Sequence, residues 1–145
     1  MTETMPEMIR YTADVVCVRG DDVLLIERGW EPCRGMLALP GGHVDAGETS
    51  REGAARELLE ETGVRVRLED LVQIGVFDAP DRDERGRYVT VAYLVTVPES
   101  TMARAGDDAA RVQWMPLDYP GRLAFDHNEI VAAAARIAAE EGGWR

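Results

Sequence analysis

The chain has little positive charge to spare. Its 145 residues include 16 Lys and Arg against 27 Asp and Glu, a formal net charge of -11. Without a basic face a protein cannot make its living by gripping a phosphate backbone, so nucleic acid is excluded as the main partner. Cysteine is equally scarce. Cys17 lies in an apolar run and Cys33 in a loop containing Gly and Pro, with no CxxC spacing and no His cluster nearby. This pattern excludes a disulfide framework and a thiolate metal site, and it fits a reduced, cytoplasmic setting. The first ten residues hold no apolar core of a leader, and no apolar run approaches the roughly 18 residues of a membrane span. Repeats, low-complexity tracts and long blocks of one charge sign are missing too. The expectation is a single folded domain over residues 1–145, with no membrane attachment.

What is present is a succession of short, well-punctuated elements. Tyr11 to Val18 is mostly β-branched or apolar, and Gly20-Asp21-Asp22 turns it into Val23 to Ile26. Two strands joined by a tight turn are predicted. Gly29 to Gly42 reads as loop, with a short strand around Met36 to Leu39 before the Pro40-Gly41-Gly42 turn. Thr49 and Glu52 have the spacing of a reciprocal capping box, Arg51 to Thr62 contains no Pro, and Gly63 stands where a left-handed C-cap would end a helix. Leu68 to Phe77, Tyr88 to Val97 and Arg111 to Met115 are predicted strands. Asp126 and Glu129 repeat the capping-box spacing, opening an Ala-rich helix whose Ile130, Val131, Ala134, Ile137 and Ala138 recur at helical intervals before Gly142. Strands on both sides of a central helix, with a terminal helix, imply an α/β (α+β) layered domain with helices packed on a mixed sheet.

The central helix carries the chemistry. At 100° per residue, Glu57, Glu60 and Glu61 fall within about a 100° arc, with Gly53 and Ala54 on the same face one turn earlier. Ala55, Leu58, Leu59 and Thr62 lie opposite and form the stripe expected to be buried. Three carboxylates near a helix C-terminus repel one another and oppose the macrodipole. Two arrangements offset that cost: a solvated face with Arg51, Arg56 and Arg65 as partners, or a hard cation such as Mg2+ held by carboxylate oxygens.

The stretch Gly42 to Val64, GHVDAGETSREGAARELLEETGV, selects the second. It matches Gly, five residues, Glu, seven residues, then Arg-Glu-apolar-any-Glu-Glu-any-Gly-apolar at every defined position. In this it resembles the box of Nudix hydrolases, and the preceding Leu39-Pro40-Gly41 is similar to the family as well. The resemblance implies a Nudix fold, a mixed sheet sandwiched between helices, and a metal-dependent enzyme. It implies that Glu57 and Glu61 are the main metal ligands, with Glu60 serving a further ion and a backbone carbonyl of Gly41 or Gly42 completing the shell. Mg2+ is the expected ion, with Mn2+ as an alternative. Glu48 is expected beside the cluster and Arg56 to hold the glutamates in place, so that Glu48, Arg56, Glu60 and Glu61 form the catalytic set. The acceptor of the water proton stays open between the box and a later loop, where Glu99, Asp107 and Asp108 are candidates. Asp108 joins the set on that ground, although Asp107 and Asp108 read equally as solvated acids.

The box names a linkage, a nucleoside diphosphate joined to another group, and leaves that group undefined. Val76-Phe77-Asp78-Ala-Pro-Asp-Arg-Asp-Glu-Arg-Gly86 and Leu123-Ala-Phe-Asp-His-Asn-Glu-Ile130 look like bacterial and archaeal ADP-ribose pyrophosphatases. On that resemblance the substrate is ADP-ribose, cleaved to AMP and ribose 5-phosphate, and the protein is a homodimer. Arg82, Arg85 and Arg87 are then expected to meet phosphate or ribose, and Phe77, Trp30 and Trp114 are candidate stacking partners for adenine. His127 follows the Asp126 cap and reads equally as a residue of that site or as an ordinary exposed first-turn residue, and Trp144 is close to the terminus. Two other readings stand: a nucleoside triphosphate pyrophosphohydrolase acting on damaged or non-standard nucleotides, and a non-catalytic sensor of an ADP-ribose-type ligand.

Overall fold

The computed structural model describes residues 5–106 and 109–140. The first strand, β1 (Ile9–Arg19), forms a hairpin with β2 (Asp22–Arg28), but the two pair only through Val18 with Val23 and Arg19 with Asp22. Beyond those residues they part. The N-terminal half of β1 pairs instead with β4 (Gly41–His43), while β2 pairs with β3 (Leu37–Ala38) and with β7 (Ala109–Pro116). On its other edge β1 runs parallel to β6 (Arg87–Thr96), which pairs antiparallel with β5 (Val72–Phe77). The result is a mixed sheet with the order β3-β2-β1-β6-β5. The parting of β1 from β2 leaves a gap in it, and the site described below opens there.

Both faces of the sheet are covered, as expected of a domain that must bury two apolar surfaces. Alternation along β1 sends Ala13, Val15 and Cys17 to one side, where they meet Ala54 and Leu58 of helix α1 (Ser50–Thr62). Val16 and Val18 go to the other, beneath Ile130, Val131, Ala134 and Ala138 of helix α2 (His127–Glu140). Cys17 is a packed core residue; burial pushes its thiol up to about 12, which leaves it inert.

The predicted helix over Arg51 to Thr62 is present as α1, and its ends form as the residues dictate. Thr49 Oγ1 accepts from the Glu52 N–H, the Glu52 carboxylate accepts from the Thr49 N–H, and Gly63 closes the helix at φ 74°. Its burial is broader than the sequence suggests. Gly53 and Ala54, placed on the acidic face, are buried, while Leu59 is only half-buried. The helix packs on two sides, against the sheet and against the loop after β4.

Two further expectations are corrected. Leu68 to Asp70 forms a single 3-10 turn, and the strand begins at Val72. The capping box predicted at Asp126 does not form, because the Asp126 carboxylate is taken by Arg82, 44 residues earlier. Gly142 and Trp144 lie outside the described residues.

Candidate active site

One turn of helix separates Glu57 from Glu61, so both carboxylates leave α1 toward β4. The Glu61 carboxylate accepts from the Gly41 N–H at 2.7 Å. The Glu57 carboxylate lies against Gly42, where an added Cβ would stand 2.6 Å from its Oε2. A Cβ on Gly41 would collide with the Asp14 carboxylate and the Ala13 carbonyl. Absence of side chains at 41 and 42 is therefore what lets two glutamates approach the backbone.

Glu60 behaves differently. It points outward, its side chain 42% exposed, and is joined to the cluster by Arg56. Arg56 is the hub of the face: its guanidinium donates to Glu48, Glu57 and Glu60 and to the His43 carbonyl. These bonds hold the Arg56 charge far above its ordinary range and Glu48 below the usual carboxylate range. Burial pushes Glu57 up, against the pull of Arg56.

A hard divalent cation fits these residues. The donors on offer are carboxylate and peptide oxygens, the ligand type Mg2+ and Mn2+ prefer. Glu57 is a half-buried carboxylate whose charged form is penalised by burial, which a bound cation would relieve. Among the described residues no three acidic, His or Cys side chains converge on one point. The three glutamates thus divide into an inner pair at the glycines and an outer member held by Arg56.

Beside the inner pair lies a cleft of about 180 Å3, in the gap between β1 and β2. Glu61, Gly41, Gly42 and His43 line it together with Thr12 and Asp14 of β1. Arg28, Arg85, Tyr88 and Phe125 line it too. These stack on one another: the Arg85 guanidinium lies 4.7 Å from the Tyr88 ring centre and 5.6 Å from that of Phe125, and Arg28 lies 4.9 Å from Phe125. Phe125 reaches this place with φ 54°, a backbone conformation a bulky residue rarely adopts. Arg28 gives its Nε–H to the Pro32 carbonyl and has no carboxylate partner within ion-pair distance among the described residues. Burial and then the neighbouring Arg85 lower its pKa, against the pull of Cys33, Asp83 and Glu61.

The structure sorts the remaining candidates. Arg82 lines the cleft, but both arms of its fork are committed to Asp126, at 2.9 and 2.6 Å, in a pair whose side chains are 5% and 12% exposed. Arg85 is held by Asp83 and faces the cleft. Arg87 is not brought there; it pairs with Glu7. Phe77 packs against the α2-side core, and Trp114 lies under Arg19 on the other side of the sheet. Trp30 is exposed. Glu99 lies against Gly20 at the β1–β2 hairpin, the far end of β1 from the cleft. Asp107 and Asp108 lie outside the described residues.

Sequence reasoning missed Asp14, Arg28, Tyr88 and Phe125 as site residues. Asp14 did carry a signal: an acid in the middle of an otherwise apolar strand. His127 is not an exposed first-turn residue. It is buried, and its Nδ1 accepts from the Leu39 N–H at 3.0 Å, which places its proton on Nε2. Burial lowers its pKa. Neighbouring residues at the start of α2 thus hold two residues that line the cleft, Asp126 through Arg82 and His127 through Leu39.

Two predictions follow from that grip. Arg82→Ala leaves Asp126 buried without its cation and is expected to cost about 3–5 kcal/mol in a urea melt; a cost below about 1 kcal/mol would show that the pair does not matter. For His127, the folded protein binds fewer protons than the unfolded chain below the usual value of 6.5. Stability is therefore full above pH 6.5 and falls as pH drops below it. The wild-type urea midpoint should fall between pH 7.5 and 5.5 more steeply than that of His127→Gln, a comparison that cancels every other titrating group. Parallel slopes would contradict a buried neutral imidazole.

Residues 8–133 match the NUDIX domain family. The chain belongs to that family. It is 38% identical over 118 residues to an ADP-ribose pyrophosphatase of Methanocaldococcus jannaschii, an alignment covering 81% of this chain and 68% of the relative. Among solved structures, the NUDIX domain of Shewanella oneidensis NrtR in complex with ADP ribose superposes with a TM-score of 0.82 at 28% identity, covering 91% of this chain and 90% of that one. A bifunctional NMN adenylyltransferase/ADP ribose pyrophosphatase from Francisella tularensis, complexed with AMP and a Mn ion, superposes with a TM-score of 0.80 at 30% identity. That match covers 97% of this chain, which spans 44% of the Francisella protein. The Nudix chain described here is similar to ADP-ribose pyrophosphatases in sequence and in fold. No helix among its described residues is long and apolar enough to cross a membrane.

Proposed function

We propose that this Nudix chain hydrolyses the pyrophosphate linkage of ADP-ribose to AMP and ribose 5-phosphate, dependent on Mg2+ or Mn2+. The observation that carries the reading is the meeting of the Glu57 and Glu61 carboxylates with the Gly41–Gly42 backbone at a cleft that Arg28 and Arg85 also line. Glu57, Glu61, a carbonyl of Gly41 or Gly42 and, for a further ion, Glu60 would hold the cation. It would neutralise phosphate charge and lower the pKa of the attacking water.

The chain's own residues do the rest. Arg28, which gives only its Nε–H to Pro32, offers its terminal nitrogens to the non-bridging phosphate oxygens, and Arg85, its fork held by Asp83, adds positive charge beside them. Arg56 fixes the directions of Glu48, Glu57 and Glu60. Water adds at one phosphorus, the bridging oxygen leaves with the other phosphate, and the proton passes to a carboxylate. Glu48, held low by Arg56, is a poor acceptor; Asp108 is our choice for that role. The proposal extends to a cytoplasmic homodimer: the cysteine usage fits a reduced compartment, and the family resemblance implies the dimer.

Similarity to an ADP-ribose pyrophosphatase over most of the chain supports ADP-ribose over a nucleoside triphosphate. The test is kcat/KM for ADP-ribose against dGTP and 8-oxo-dGTP in Mg2+. A preference of at least about ten-fold for ADP-ribose is expected, corresponding to about 1.4 kcal/mol of differential transition-state binding. A preference for either triphosphate would replace this substrate with the other.

A further inference from the structure

We propose that Asp14 is a specificity-determining residue of the cleft, its carboxylate accepting hydrogen bonds from paired donors on the part of the substrate lodged there. Such donors are the neighbouring hydroxyls of a ribose or the amino group of a base. The inference rests on the ADP-ribose reading above.

Asp14 sits between Ala13 and Val15, which face α1, so alternation turns its side chain to the opposite side of β1, where the cleft opens. The side chain is 10% exposed. Its Oδ2 accepts from Thr90 Oγ1 at 2.6 Å. Its Oδ1 has no donor within hydrogen-bonding distance among the described residues. The nearest cationic group, His127 Nε2, is 4.0 Å away on a ring whose charged form burial disfavours. The other nearby cation, Arg82, has given both arms to Asp126. A carboxylate oxygen turned into the cleft is left to accept from whatever occupies it. It is also selective, since a carboxylate can only accept and gains nothing from a carbonyl or ether on a ligand.

The cleft decides which donors suit it. At about 180 Å3 it is below the roughly 300–1,000 Å3 usual for small-molecule sites, enough for one ring of the substrate. Its aromatic faces are already covered, Tyr88 by Arg10 and Arg85, Phe125 by Arg28 and Arg85. A base would have to displace a guanidinium to stack there, whereas a ribose needs acceptors and no ring face. The arrangement favours a sugar.

The experiment compares wild type with Asp14→Asn on three substrates: ADP-ribose, its inosine counterpart lacking the base amine, and an ADP-ribose analogue lacking a hydroxyl of the non-adenylate sugar. On ADP-ribose the variant should lose about 10- to 100-fold in kcat/KM, mostly through KM, with an unchanged or raised melting temperature. If the loss persists on the inosine compound and vanishes on the deoxy analogue, Asp14 reads the sugar; the reverse pattern means that it reads the amine. Both support the proposal. Equal losses on all three, or a fall in kcat alone, would overturn it and leave Asp14 a structural residue. Thr90→Val, which frees the carboxylate from its anchor, should show a smaller loss in the same substrate order and serves if Asp14→Asn does not fold. Wild-type protein that cleaves none of the three substrates would instead defeat the functional reading, and this proposal with it.

Discussion

Glu57→Gln and Glu61→Gln are each expected to lower the turnover of ADP-ribose by about 100-fold or more while leaving the protein folded. Glutamine keeps the shape and one acceptor oxygen but gives up the charge, so the Gly41 N–H can still be satisfied at position 61 while cation binding is not. The apolar anchor of α1, through Ala54 and Leu58, is untouched. For Glu57 a further consequence follows from burial. Because burial raises its pKa, the ionised form weakens the metal-free fold at neutral pH. Glu57→Gln measured in EDTA should therefore melt no lower than wild type, despite being nearly inactive. Glu60→Gln should have a distinctly smaller effect on rate, since Glu60 is the exposed outer member. Equal losses at all three positions would contradict the division into an inner pair and an outer partner, and near-normal turnover in Glu57→Gln or Glu61→Gln would remove the metal assignment.

Arg56→Ala is expected to be almost as damaging, by a different route. The guanidinium is the cation shared by Glu48, Glu57 and Glu60, and it also ties the cluster to the His43 carbonyl of β4. Without it the glutamates repel one another and lose their fixed directions. Residues that orient ligands in this way typically account for about 10- to 100-fold in affinity or activity. Arg56→Lys should recover little, because an ammonium cannot span acceptors that a planar fork reaches from several edges. The measurement is kcat together with the Mg2+ concentration for half-maximal rate. Wild-type values in Arg56→Ala would mean that the glutamates are positioned by the backbone alone.

What could be read in the sequence was local. The capping box at Thr49 and Glu52, the left-handed Gly63 and the apolar run that becomes β1 each depend on residues a few positions apart. So does the spacing that sends Glu57 and Glu61 to one side of α1. The failures share an opposite cause. Asp126 has the right spacing for a cap, yet Arg82 claims its carboxylate from another loop. His127 does start α2, but it is buried there, with Leu39, the residue after β3, donating to its ring. Arg82 and Arg85 look alike in the loop and each forks onto one carboxylate, but the Arg82 pair is buried while Arg85 stays exposed between two aromatic rings. The cleft itself exists because β1 and β2 part after two residue pairs, and nothing in either strand announces that. Asp14 was the exception, a charge in an apolar strand that merited an explanation.

The most direct test of the account is product analysis. Purified protein is incubated with ADP-ribose and Mg2+, with and without excess EDTA, and the products are separated by chromatography. Equal amounts of AMP and ribose 5-phosphate that disappear with EDTA and in Glu61→Gln are predicted. No cleavage of ADP-ribose, or cleavage that EDTA and Glu61→Gln leave unchanged, would contradict it.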